Sequence, residues 1–213
     1  MRILLKFSRE SQIKYISHLD IQRLFQRALR RAKIPMEYSK GYNPHLLISF
    51  ATAMPLGVCS RGEYVEIQTE KYINPIDVKA RLNDVLPSGV QILAADELQD
   101  NYPNVGSVIA LAQYSLAFFG ENAQEIIKEL LKSEEIVIEK KTKKGLAQVN
   151  VRKMIHSLSI QDNKIKATLS LSNSESLRAD KLAEILSGKG LCIGEIYRDA
   201  IYIIKDGNLI LPL

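Results

Sequence analysis

Apolar and polar residues alternate along "GEYVEIQTE" (62–70), the two-residue period of a strand with one buried face. "MRILLKFS" (1–8) also reads as a strand, as do the short apolar run "LLISFA" (46–51) and "VQILAADEL" (90–98). Between the first two strands the period changes. Ile21, Leu24, Phe25, Ala28, Leu29 and Ala32 are spaced i, i+3, i+4, i+7, i+8, i+11, which is one face of a helix. Ser17, with Asp20 three residues on, fits the N-terminal capping pattern, and Pro35 stops the helix at about Lys33. Pro75 opens a second helix, "PIDVKARLNDVL", which ends before Pro87 and Gly89. The order is therefore strand, helix, strand, strand, helix, strand.

The polar segment "DNYPNVGS" (100–107) reads as a linker, after which the order restarts. A strand over 108–119 precedes an amphipathic helix over 122–133. Strands follow at 135–141, 149–161 and 164–172, the last two joined by an Asp162-Asn163 turn. A helix near 178–187 and a strand near 193–204 complete the half. The expectation is an α+β chain of two tandem ferredoxin-like (βαββαβ) units with antiparallel sheets, residues 1–99 and 108–213, with an extra strand in the second. The alternative is one larger α+β sheet built by both halves.

Charge changes the picture more than composition does. Residues 1–50 hold ten Lys/Arg and three Asp/Glu, an excess of seven positive charges, although the whole chain carries only +5. Residues 51–213 are thus slightly acidic. A localised positive field points to a polyanionic partner. On the helical wheel Arg23, Arg27 and Arg30 lie opposite the apolar face, with Arg31 beside them. Asp20 is the one helical acid near them, so i, i+4 ion pairs do not lace the stripe, and arginine suits bidentate phosphate contacts. The competing reading is a solvated helix face.

The segment after the helix, "MEYSKGYNPHLLISFATAMPLG" (36–57), packs Tyr38, Ser39, Lys40, Gly41, Tyr42, Asn43, Pro44 and His45 into one short loop. Unpaired bases stack on such rings while cations hold the backbone. The competing reading is a structured turn whose polar groups bond the backbone. The candidate nucleic-acid-binding set is Arg23, Arg27, Arg30, Arg31, Lys40, Tyr38, Tyr42, Asn43 and His45. His18, His45 and Tyr42 are the candidates for catalysis, with His18 at the margin of the apolar face, where it suits packing. The loop is expected to fold over the start of the helix, beside His18 and Arg23.

The run "YISHLDIQRLFQRALRRAKIPMEYSKGYNPHLLISFATAMPLGVCSRGEYVE" resembles the radical SAM-linked protein family, a bacterial domain of unknown function found alone or fused to the C-terminus of a radical SAM enzyme. The resemblance is dense over 15–66. It rests on Tyr15, Ser17, His18, Leu19 and Asp20, on the four arginines, on the loop from Tyr38 to His45, on Pro55, Leu56 and Gly57, and on Glu63 and Glu66. Leu46 and Leu47 depart from the proline and lysine that family members commonly carry there, which removes one cation. The resemblance implies a radical SAM protein as partner. Through the family's genomic company with an E/G-type ribonuclease and large-subunit ribosomal proteins, it also implies RNA or ribosome biology. It supplies no catalytic residues.

The chemistry the chain lacks narrows the options. Cys59 and Cys192 cannot supply the three close cysteines of a radical SAM cluster. They are expected to be reduced core thiols of a cytoplasmic protein. There is no phosphate-binding glycine motif and no zinc-type ligand spacing, so no cofactor or metal is expected. No apolar run has membrane-spanning length. The basic turn "KKTKKG" (140–145) reads as a hairpin tip. Three functional readings remain. The first is a non-catalytic RNA-binding or substrate-presenting partner of a radical SAM enzyme. The second is a metal-independent ribonuclease or RNA-modifying enzyme using His18 or His45 as general base. The third is a protein–protein adaptor.

Overall fold

The computed structural model describes residues 1–142, 145–205 and 208–213. The chain is α+β with mostly antiparallel sheets and five helices among the described residues. It divides into two compact units, Met1–Ile109 with Ala200–Leu213, and Ala110–Asp199. Residues 200–213, expected in the second half, thus group with the first.

In the first unit β1 (Arg2–Arg9) is followed by α1 (His18–Arg31), β2 (Ile48–Phe50), β3 (Val58–Gln68), α2 (Pro75–Asn83) and β4 (Val90–Leu98). β1 pairs antiparallel with β3 (Leu5 opposite Val65) and with β4 (Leu5 opposite Ala95). β2, three residues long, pairs antiparallel with β3 through Phe50 and the same Val65. The sheet path runs β4-β1-β3, with β2 off that path on β3. Ile3, Leu5 and Phe7 of β1, spaced by two, form one core with Ile21, Phe25, Ala28 and Leu29 of α1 and Val78 and Leu82 of α2. Phe25 anchors this layer, with its ring 4.8 Å from Phe7 and 5.3 Å from Phe50 in edge-to-face contacts.

Local signals set the ends of α1. Ser17 Oγ accepts from the Asp20 N–H and donates to the Asp20 carboxylate at 2.7 Å, the reciprocal cap that the sequence predicts. At the far end Lys33 adopts a left-handed φ of 53°, and the Ile34 N–H reaches back to the Leu29 carbonyl, which closes the last turn before Pro35.

What delivers the chain to Ser17 is a buried cation. Arg9, 2% exposed, ends β1, where its Nε donates to the Ile13 carbonyl at 3.3 Å. Its Nη2 donates to the carbonyls of Lys14 and Ile16 at 2.7 and 2.6 Å. These carbonyls belong to the 3₁₀ turn Ser11–Ile13 and the bend that follows it.

The linker expected at 100–107 is ordered. Arg2 pairs with Glu66 at 2.7 Å and donates to the Tyr102 carbonyl at 2.5 Å, and Asn104 caps the short helix α3 (Val105–Val108).

The second unit contains β5 (Ile109–Phe119), α4 (Ala123–Lys132), β6 (Val137–Thr142), β7 (Gly145–Asn150), β8 (Ile155–Gln161), β9 (Lys164–Ser170) and α5 (Ala179–Gly188). It also holds the first part of β10 (Cys192–Lys205). β9 pairs antiparallel with both β5 and β8. Asp162 and Asn163 both take positive φ, 49° and 55°, as a tight two-residue hairpin turn requires. The single strand expected over 149–161 is two strands. The Asn150 side chain accepts from the N–H groups of Ile136 and Arg152. The chain then bends through the 3₁₀ turn Arg152–Met154, and the Arg152 guanidinium donates to the Ile155 and Leu131 carbonyls. Side-chain hydrogen bonds of this kind compete with the strand ladder. β6 and β7 form a separate hairpin, and the centre of the "KKTKKG" turn lies outside the described residues. In the first unit, β11 (Asn208–Ile210) folds back on the end of β10, Ile203 opposite Ile210. Of the two cysteines expected in the core, Cys59 is buried and Cys192 is exposed.

Replacing Arg9 with Met removes the donor for three carbonyls at a buried position. The expected loss is about 3 kcal/mol or more, read as a lower urea midpoint with an unchanged slope.

Candidate nucleic-acid interface

The arginines of α1 are exposed, and the structure gives them a shared groove. A cavity of about 760 Å³ is lined by Arg23, Arg27, Arg30 and Arg31 together with Ile16, Asp20, Leu24, Val85 and Pro87. Its floor is apolar and its charged wall is one helix face. The wall exists because the apolar stripe turns Phe25 and Leu29 to the core, which leaves positions 23, 27 and 30 outward. Val85 and Pro87, just beyond α2, close the opposite side.

The four guanidinium groups are not equivalent. Arg23 Nη1 lies 3.0 Å from Asp20 Oδ1, an exposed i, i+3 pair. Hydrogen bonds from Ser17 and Arg23 hold the Asp20 carboxyl below the usual carboxylate range. Arg31 donates to the Val85 carbonyl at 2.7 Å, which ties the helix to the far wall and satisfies only part of its fork. Arg27 and Arg30 make no hydrogen bond or ion pair among the described residues. From Arg23 to Arg30 the helix rises about 10 Å. An anion entering the groove therefore meets two unpaired cations, one anchored cation, and one held by an acid it must displace.

The loop over 38–45 is built as a closed hairpin. Tyr38 bridges Leu46, the Ser39 N–H donates to the His45 carbonyl at 2.8 Å, and the His45 N–H returns to Ser39 Oγ at 3.1 Å. Ser39 Oγ also meets His45 Nδ1 at 2.9 Å. His45 thus braces its own loop. Tyr42 is fully exposed at the tip, and Lys40 and Asn43 are exposed beside it.

The loop does not reach the start of α1. It leaves the sheet where Glu37 bonds Gln68 and Thr69 bonds Met1, the end of β3. His18 instead packs edge-on against Phe50 at 5.5 Å, and Phe50 lies opposite Val65. From Phe50 to His45 is roughly 16 Å of extended chain. The structure brings the four arginines onto one groove, whose lining includes none of Lys40, Tyr42 and His45, and it holds His18 against Phe50.

His18 is a packing residue in an acidic and basic setting. Burial lowers its pKa, Glu63 opposes that shift, and Arg9 adds to it. Its Nε2 lies 3.1 Å from Gln22 Nε2.

What surrounds the start of α1 was missed at the level of site residues. Tyr15 is 74% exposed, and its ring lies against Gly57. A Cβ at Gly57 would sit 3.6 Å from Tyr15 Cε1, and Gly57 has a left-handed φ of 80°. The Gly57 N–H donates to the Lys14 carbonyl at 2.8 Å. The available signal was a large aromatic just ahead of the cap, where no helical period calls for it.

Two other constellations lie in the second unit. A groove of about 790 Å³ is lined mainly by apolar groups such as Ile138, Val149, Met154 and Leu177. Its rim cations are paired, Arg178 with Asp180 and Lys181 with Glu184, each at 2.7 Å. Ser115, Lys166 and Asp199 form a polar cluster in which Lys166 Nζ lies 2.5 Å from Ser115 Oγ and 3.3 Å from Asp199 Oδ2, and Ser115 Oγ donates to Asp199. Ser115 is buried and each group bonds the others, so the cluster cross-links strands. Among the described residues no group of three or more His, Cys, Asp or Glu is placed to hold a metal ion, and no helix is long and apolar enough to cross a membrane.

A family model described as an uncharacterized protein conserved in bacteria (DUF2344) matches residues 2–179. No curated protein matches the chain.

Two outcomes follow from the site. Replacing Asp20 with Asn frees Arg23 while keeping an acceptor for Ser17, so the affinity of the groove for a polyanion rises a few-fold at low salt, and the gain fades as salt is added. His18 has a folded pKa below its ordinary 6.5, so the unfolded chain takes up the proton first. Stability is full above about 6.5 and falls as the pH drops through that value toward the folded pKa. Replacing His18 with Phe flattens this acid limb in urea titrations at stepped pH.

Proposed function

The chain belongs to that uncharacterized bacterial family, and we propose that it is a non-catalytic RNA-binding protein that holds a phosphate backbone in the groove of α1. The observation that carries this reading is the convergence of Arg23, Arg27, Arg30 and Arg31 on one groove with a single acid among its lining residues. Fixed cations on a helix face neutralise consecutive phosphates and release their counterions, which gives affinity without base identity. The apolar floor accepts ribose or base surface that a protein carboxylate partner would not offer.

We read the first unit as a ferredoxin-like βαββαβ unit, a reading supported by the antiparallel pairing of β1 with β3 and β4 and of β2 with β3, and the second unit as a modified copy. By resemblance the partner is a radical SAM protein, to which this chain presents RNA in the cytoplasm. The reading that uses His18 and His45 as a catalytic pair loses its support, because the two lie apart and each is engaged locally.

Replacing Arg23, Arg27 and Arg30 together with Ala tests the groove. RNA affinity at moderate salt falls about tenfold or more, and the slope of log K against log salt flattens by about two. Unchanged RNA binding in the triple variant, with a folded circular dichroism spectrum, overturns the reading.

A further inference from the structure

Three large apolar side chains are exposed around the start of α1, namely Tyr15 at 74%, Leu19 at 61% and Leu56 at 57%. They come from separate parts of the chain. Tyr15 lies ahead of the Ser17 cap, Leu19 lies in the first turn, and Leu56 directly precedes the Gly57 that carries the Tyr15 ring. None is needed by the core, which α1 fills with Ile21, Phe25, Ala28 and Leu29.

Tyr15 is exposed but not loose. Its backbone lies between Lys14 and Ile16, whose carbonyls are both fixed by Arg9. Its ring rests on a glycine that presents no side chain. Lys14 Nζ lies over the ring at 5.6 Å from its centroid. The next residue, Ile16, already lines the arginine groove. An ordered aromatic ring, a cation over it and an arginine-lined groove that the next residue, Ile16, also lines form a sequence of contacts that suits a nucleotide followed by its backbone.

We propose that Tyr15 is a stacking platform for one unpaired base, and that the groove's ligand is single-stranded RNA entering over Tyr15 and running along Arg23, Arg27 and Arg30. The inference rests on the phosphate-groove reading and adds strandedness and entry point to it. An exposed cation–π contact is weaker than base–aromatic stacking, so an arriving base takes the ring face that Lys14 Nζ overlies. Leu19 and Leu56 wall the base. A duplex cannot use the platform, because its bases are stacked on one another and its grooves present edges. The tyrosine-rich loop at the other end of the unit is not required for this contact.

The test compares three fluorescent probes on the full chain: an unstructured oligouridylate, an RNA duplex of the same length, and inorganic polyphosphate. The native chain binds the oligouridylate more tightly than the duplex. Tyr15→Ala lowers oligouridylate affinity about tenfold and leaves polyphosphate affinity unchanged, whereas Tyr15→Phe keeps both. Tyr15→Leu, which retains an apolar contact with Gly57, behaves as Tyr15→Ala. Equal oligouridylate affinity for Tyr15→Ala and native chain overturns the proposal, as does an equal loss on polyphosphate. The R23A/R27A/R30A chain separates the two readings. If it loses polyphosphate and oligouridylate while Tyr15→Ala loses neither, the groove stands and the platform falls. If it loses neither, the groove itself falls.

Discussion

The buried guanidinium of Arg9 holds together everything that faces outward on the first unit. A cation at 2% exposure is tolerated only where polar groups surround it. Here carbonyls of Ile13, Lys14 and Ile16 do so. Gathering these carbonyls bends the chain between β1 and α1 into one shape. That shape sets the Ser17 cap, the azimuth of α1 and hence which way Arg23, Arg27 and Arg30 point. It also sets Tyr15 against Gly57, since the Gly57 N–H bonds the Lys14 carbonyl. Glu63, 3% exposed, balances the field felt by His18. The segment from Tyr15 to Asp20 is therefore a mount for the helix, whose chemistry lies on the arginine face.

The basic excess of residues 1–50 divides by burial. Arg2 and Arg9 have structural roles, one on Glu66 and backbone carbonyls, the other on the carbonyls of Ile13, Lys14 and Ile16. Arg23 and Arg31 are partly engaged, and Arg27 and Arg30 are not engaged among the described residues. Net charge alone overstates what is available to a ligand. The groove in the second unit makes the same point from the other side, since its rim cations are matched by Asp180 and Glu184. Shape is comparable in the two grooves, and unpaired charge is what separates them.

Much of the fold could be read from residue order. The helical period of 21–32, the Ser17 cap, Pro35 and Pro75 place α1 and α2 within a few residues. The Asp162-Asn163 hairpin appears where expected. These features are local, and local chemistry determines them. The errors are tertiary. The break at Arg152 depends on Asn150 accepting from Ile136 across a hairpin, which no window along the chain contains. The placement of the 38–45 loop depends on Glu37 pairing with Gln68, a register that strand propensity does not carry. The arginine stripe was legible because a helix wheel is local. Its groove was not, because Val85 and Pro87 arrive from the segment beyond α2. Arg9 and Tyr15 run against residue type, one a cation that is buried and the other an aromatic that is exposed.

The balance between binding and catalysis turns on the histidines. General acid–base work needs a side chain within hydrogen-bond reach of the reacting proton and free to exchange it. His18 has its pKa lowered by burial, faces Phe50 and has Gln22 at its Nε2. His45 has its Nδ1 on Ser39 in a loop at the other end of the strand. Neither lines the arginine groove. An anion seated along α1 would thus meet guanidinium groups, which position phosphate and do not take up protons at ordinary pH, and an apolar floor, which does neither chemistry nor charge. On the function proposed above, a surface with those two components positions a strand and takes no part in proton transfer.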